Sequence, residues 1–302
     1  MATVAEPRPA SLPLPGGRRD AVVRLHPLLT GTMAAPPTYL ERSGTGWRAK
    51  LRDYGIRVPA EQWIRAPVPA FLVEHPSAGA LMIDTGFHPA VAVDPPANLG
   101  RIGALAFKNI EMSAADAAPA QLRARGVEPG AVSHVLMTHM HIDHASAVSE
   151  FPNAKFVVSA PEWAAANGSR PQINGYYRRQ FDHAVEFRLL DFGSDAVGSF
   201  AGFGRSLDLL GDGSVRAVFT PGHSAGHVSY LLRLRGREAL IAGDAIYTIG
   251  TLRESALPAR MHDEHNFKRS LREIQLYDRE TPGALIVPGH DMEHWGTLEA
   301  AY

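Results

Sequence analysis

No cysteine occurs among the 302 residues, so disulfide bridges, thiolate zinc sites and a cysteine nucleophile are all excluded. A dominant charge is missing too. Thirty lysines and arginines oppose 31 aspartates and glutamates, for a net charge of -1. With no basic stripe in view, neither nucleic acid nor an anionic membrane is the expected partner. No apolar run reaches the ~18 residues that a membrane-spanning helix needs. The opening stretch, MATVAEPRPASLPLPGGRRD, lacks the apolar segment of a secretory signal, and the expected location is cytoplasmic. The expected partner is a small molecule, with a homodimer left open.

What the chain does hold is a regular succession of short apolar runs. AVVRLHPLL, AFLVEH, ALMIDTG, SHVLMTH, AKFVVSA, SVRAVFT, HVSYLLRL, EALIAGD and GALIVPG are rich in branched side chains and end on Gly, Pro or Asp, which reads as strands. Helical patterns lie between them. SAADAAPAQLRARG runs from a capping Ser113 to Gly126, SAPEWAAANG repeats that frame, and NFKRSLREIQLYDRE spaces Phe267, Leu271, Ile274 and Leu276 helically. The expectation is an α/β domain with helices packed outside sheets. Residues 1–19, with four prolines and two glycines, read as a flexible tail ahead of a single domain at 20–302. Two excursions, 87–112 and 168–183, have the length of lids or binding loops. Ile102, Leu105 and Phe107 of the first are candidates for lining an apolar pocket.

The densest chemistry is LMTHMHIDHAS, where His139, His141, Asp143 and His144 fall within six residues. His139 and His141 follow an apolar run directly, and residues two apart in an extended chain project to the same side. The pair can therefore grip one ion, while Asp143 and His144 beyond the turn can reach a neighbouring position. FTPGHSAGH, IAGDAIY and IVPGHDMEH each place a further candidate just past a strand end: His223, Asp244 and His290. Strand C-termini are where α/β folds assemble sites. Nitrogen and oxygen donors without thiolate suit Zn2+, with Mn2+, Fe2+ or Co2+ as alternatives.

In these residues, from about ALMIDTG to the C-terminus, the chain resembles the metallo-β-lactamase superfamily. That resemblance implies an αβ/βα sandwich of two mixed β-sheets with helices outside, and two divalent metal ions. It implies one ion on His139, His141 and His223, a second on Asp143, His144 and His290, and Asp244 bridging them. Asp84 in DTG would steady a ligand histidine, and His227 would be a structural neighbour. Absences narrow the branch: no cysteine ligand as in one β-lactamase class, no glutathione-binding region, no flavin domain. MTHMHIDHAS, GDAIYT with Tyr247 three residues after Asp244, and PGHDMEHWGTLEAAY resemble the quorum-quenching N-acyl homoserine lactonases. That branch implies ring opening of a lactone by a hydroxide held between the metals. Tyr247 would donate to the oxyanion, and Asp143 would carry the proton to the leaving alkoxide. A hydrolase of the same fold acting on a thioester, β-lactam or phosphoester is the alternative, and an iron-dependent oxidoreductase a further one. Residues 1–70 match no pattern of that branch.

Overall fold

The computed structural model of the chain describes residues 6–183 and 185–302, the side chains of Ile102, Ala106 and Lys108 excepted. The branched runs form strands, and the strands form two mixed sheets. The first contains β1 (Arg8–Pro9), β2 (Arg24–Ala35), β3 (Ile64–His75), β4 (Gly79–Ile83), β5 (Lys108–Glu111), β6 (His134–Leu136), β7 (Lys155–Ser159) and β8 (Glu186–Leu190). Its order is β1-β8-β7-β6-β4-β3-β2-β5. The second contains β9 (Gly198–Phe200), β10 (Phe203–Asp208), β11 (Val215–Phe219), β12 (Val228–Arg233), β13 (Glu238–Gly243) and β14 (Leu285–Pro288), in the order β14-β13-β12-β11-β10-β9.

Alternation along the strands explains the layering. Phe71, Val73, Leu81 and Ile83 point inward and meet Val215, Ala217, Tyr230 and Ile241 of the other sheet in one buried core. Their neighbours Ala70, Leu72 and Met82 point outward and are covered with Ala118 and Leu122. On the far side, Leu231 and Leu240 pack against Leu271, Ile274 and Tyr277 of the helix Glu264–Glu280. Both faces of each sheet are thus buried, as period-two side chains between helical layers require.

Two expectations need correction. Residues 6–19 are not a flexible tail. Arg8 and Pro9 pair in parallel with Arg188 and Leu189, and the Leu14 amide donates to the Leu209 carbonyl at 2.6 Å. Leu14 itself is buried between the sheets. Prolines tolerate a sheet edge because the edge leaves amides unpaired anyway, and the leucine between them supplies the apolar contact. Residues 1–5 of that expected tail lie outside the described residues. The helix expected from Ser113 covers only Ala118–Arg123, because Ser113 turns back onto Asp116 and Pro119 sits in the first turn.

The topology positions a site. β4, β6, β7 and β8 run parallel, so their C-terminal ends share one edge. In the second sheet β11, β13 and β14 also point the same way. The excursion 87–112 contributes the helix Pro95–Ala106, kinked at Gly100, and the edge strand β5.

Candidate metal centre and its cavity

Every candidate ligand follows a C-terminal strand end. His139, His141, Asp143 and His144 follow β6, His223 follows β11, Asp244 follows β13 and His290 follows β14. The fold brings all seven together, and all are buried. Three groups have donor atoms within 4.8 Å of one another: His139, His141 and His223; His139, His144 and Asp244; Asp143, His144 and His290. The first and third match the two ligand triads expected from sequence. Asp244 lies between them, with Oδ2 3.3 Å from His223 Nε2 and 3.2 Å from His290 Nε2, and Oδ1 3.4 Å from His144 Nε2.

The donor set fits cations. His290 Nδ1 donates to the Pro67 carbonyl at 2.9 Å, so that in the neutral ring Nε2, 3.2 Å from Asp244 Oδ2, is the nitrogen left to take a cation. His144 Nδ1 donates to Asp84 at 2.8 Å, and its Nε2 has no hydrogen-bond partner, nor has Asp244 Oδ1. Thr138 gives its hydroxyl proton to Asp84 at 2.6 Å and so accepts from His139 Nδ1 at 3.0 Å. His223 Nε2 lies 2.8 Å from His141 Nδ1 and 3.2 Å from His139 Nε2. Buried lone pairs converging on one another and on carboxylates are costly unless a cation sits among them.

Electrostatics divides the cluster. Burial and the adjacent His144, His141 and His223 hold His139 well below the usual imidazole range, so it is neutral. Burial does the same for His141, with His223 and Arg260 adding to it, and for His223, where it outweighs the Asp244 carboxylate. Burial alone would lower His144, but Asp143, Asp244 and Asp84 lift it well above that range. Asp244 is held well below the usual carboxylate range, since His290, His223 and His144 outweigh its burial. Burial would lower His290 as well, but Asp244 and Asp143 raise it. His139, His141 and His223 are thus neutral and Asp244 ionised, the forms that bind metal, while His144 and His290 hold a proton that a metal would have to displace.

Tyr247 is 1% exposed, and its phenol oxygen lies 3.2 Å from His223 Nδ1. With His223 Nε2 turned to the cluster, Nδ1 carries the proton and donates to the phenol. The phenol keeps its own proton for another acceptor, and burial raises its pKa well above the usual value. His227 is not part of the cluster's donor set: Nδ1 meets the Thr220 hydroxyl, and Nε2 accepts the Asp244 amide at 3.1 Å.

Sequence reasoning missed Glu162. This buried carboxylate accepts the Met140 amide on the first ligand loop at 3.0 Å, and the Ser224 hydroxyl and Gly226 amide on the His223 loop at 2.7 and 2.9 Å. It fixes two loops relative to each other. The available signal was a lone charge in the apolar helix Ala160–Ala166.

A cavity of about 810 Å³ opens over the cluster, touching His141, Asp143, His223, Asp244, Tyr247 and His290. Both excursions wall it, through Leu105 and Phe107 of the first and Ile173 and Tyr177 of the second. The side chain of Ile102, expected beside them, lies outside the described residues. Met33, Tyr39, Tyr54 and Trp63 add a further wall from the N-terminal part that matched no pattern.

Comparison with known proteins agrees with this geometry. Residues 63–290 match the description of the metallo-beta-lactamase superfamily. Over 273 residues the chain is 32% identical to the N-acyl homoserine lactonase AttM of Agrobacterium fabrum, spanning 87% of this chain and 96% of that one. It is 31% identical over 231 residues to the probable metallo-hydrolase Rv2300c of Mycobacterium tuberculosis, spanning 70% of this chain and 71% of the relative. Among solved structures, a mutant of B. thuringiensis AiiA with N-decanoyl-L-homoserine bound at the active site aligns with a TM-score of 0.72 at 20% identity. That alignment covers 92% of this chain and 97% of the other, and the likeness is one of fold.

Proposed function

The chain belongs to the metallo-beta-lactamase superfamily, and from that premise we propose that this hydrolase opens the ring of a lactone, with an N-acyl homoserine lactone as substrate. The observation that carries the reading is Tyr247. Its phenol is anchored on a histidine of the cluster, on the wall of a cavity sized for a small molecule with an apolar arm. The 32% identity to a lactonase over 87% of the chain supports it.

His139, His141 and His223 would hold one divalent ion, Asp143, His144 and His290 a second, and Asp244 would touch both; zinc suits the donors. Such a pair supplies Lewis acidity and a water acidic enough to be a nucleophile at neutral pH. The protein's own groups do the rest. The apolar wall of Leu105 and Phe107 takes the acyl arm and leaves the ester at the cluster. Tyr247 donates its spare proton to the carbonyl oxygen as negative charge develops there. Asp143, on the cavity wall, takes the proton of the attacking water and delivers it to the ring oxygen as the ring C–O bond breaks. One water is consumed and one hydroxy acid leaves.

The test is metal content together with a substrate panel on purified protein. Two zinc-type ions per chain with turnover of acyl homoserine lactones is the expected result. Turnover of a thioester, β-lactam or phosphoester in place of every lactone would overturn it.

A further inference from the structure

Arg260 lines the cavity beside the histidine cluster, and the proposed chemistry makes no use of it. One nitrogen, Nη2, donates to the Ile173 carbonyl at 3.1 Å, and the side chain hydrogen-bonds Tyr39. Among the described residues no carboxylate comes within the 4.0 Å of an ion pair. The Asp53 carboxylate on the same cavity interacts with Arg52 and Arg42. The guanidinium also sits close to the reacting centre. A Cβ on Gly175 would meet Arg260 Nη2 and His141 Cδ2 at 3.0 Å each, so guanidinium and ligand ring flank the same point. Gly175, at φ +91°, is what lets them do so.

A latch for the 168–183 segment does not require a charge, since a neutral amide can donate to the Ile173 carbonyl equally well. A half-buried guanidinium without a counter-ion is costly. Its fork of five N–H donors is only partly used, and that fork is shaped for oxygen acceptors. We propose that Arg260, backed by Tyr39, is a specificity-determining anchor for an acceptor oxygen that the substrate carries outside the scissile ester, either an amide carbonyl or a carboxylate. The proposal rests on the lactonase reading of the site. It also gives the anchor a path to the reacting end, because the Tyr39 ring lies 6.3 Å from the Tyr247 ring. An oxygen held at Arg260 sets the arm of the substrate and so places the ester under the Tyr247 phenol.

The experiment uses three γ-lactones with the metal-loaded protein: one bearing only an alkyl chain, N-hexanoyl homoserine lactone with its amide, and one bearing a ring carboxylate. Wild type is compared with Arg260→Gln and Arg260→Lys. In Arg260→Gln the kcat/KM ratio of an oxygen-bearing lactone to the alkyl lactone is expected to fall at least tenfold, mostly through KM. A fall on the amide arm identifies an amide carbonyl as the anchored oxygen; a fall on the carboxylate arm alone, restored in part by Arg260→Lys, identifies a carboxylate. Ratios unchanged on both arms, whether or not the rates fall together, would reduce Arg260 to a latch and overturn the proposal. Calorimetry with ring-opened N-hexanoyl homoserine needs no turnover. Binding at least tenfold weaker in Arg260→Gln than in wild type upholds the anchor even if no lactone is opened, an outcome that removes the lactonase reading alone. Equal affinities overturn the anchor.

Discussion

Asp84 accepts the Nδ1 proton of His144 at 2.8 Å, and the same carboxylate oxygen takes the Thr138 hydroxyl proton at 2.6 Å. Through Thr138 it also sets the His139 ring. One carboxylate at the end of β4 therefore fixes the tautomers of two candidate ligand histidines. Outer partners of this kind commonly govern metal affinity 10–100-fold. Asp84→Asn is expected to weaken metal binding by about that factor, because its amide nitrogen can offer His144 only another donor. Titration with a chelator, read against wild type, checks this. Unchanged metal affinity would show that the ligand rings are held by the metals and their own packing.

Glu162 performs the corresponding task for the backbone. Its two oxygens receive two amides and a hydroxyl from the loops that carry His141 and His223. Glu162→Ala would leave these buried donors without an acceptor, at about 1–3 kcal/mol for each one that water cannot reach. A clear fall in melting temperature is expected, together with reduced metal content. A variant that melts like wild type and binds metal normally would mean that the loops are fixed without this carboxylate.

The candidate ligands were legible because they are local: four of seven fall within six residues, and the others sit in Gly-bounded strand ends. Glu162 was not, since its role depends on a loop 62 residues away and locally it looks like any first-turn glutamate. The cavity wall was harder still. Tyr39, Gly175 and Arg260 come from three non-periodic segments that meet only through the fold. The ordered residues 6–19 escaped for a related reason. Composition weighs the prolines, whereas the edge of β8 and the gap beside Leu209 that receive the segment are tertiary features. The strand β10, FGRSLD, lacks the apolar density that marked its neighbours, and it is specified by its pairing with β11.

His134 supplies a pH signature away from the cluster. On β6 it is 5% exposed, and burial, reinforced by the Lys155 charge, lowers its pKa from the usual 6.5 to about 4. The folded state therefore refuses a proton that the unfolded chain accepts. Stability from this group is intact above pH ~6.5, declines as pH falls from there to about 4, and then levels off. His134→Asn should flatten that part of the profile. Melting temperatures of both proteins from pH 7 to 4 check it, and parallel curves would show that His134 does not contribute.

Tyr247→Phe separates the lactonase reading from a core role for the tyrosine. The ring packs 5.5 Å from the His223 ring and 5.3 Å from the His290 ring, and phenylalanine keeps both contacts. What is lost is one oxygen, which accepts from His223 Nδ1 and holds a proton free for the cavity. If that proton meets the oxyanion, kcat on lactones falls by roughly 10²–10³, the usual consequence of removing one such donor. Metal content should hold, since His223 would bind through its other nitrogen and cavity water can replace the phenol at Nδ1. A core role reverses the pattern: the His223 N–H is left unpaired at about 1–3 kcal/mol, the melting temperature drops, and kcat per folded molecule is unchanged. The rate falls under one assignment and the melting temperature under the other. Equal kinetics for both proteins on every lactone would remove Tyr247 from the chemistry, and with it the observation on which the lactonase assignment rests.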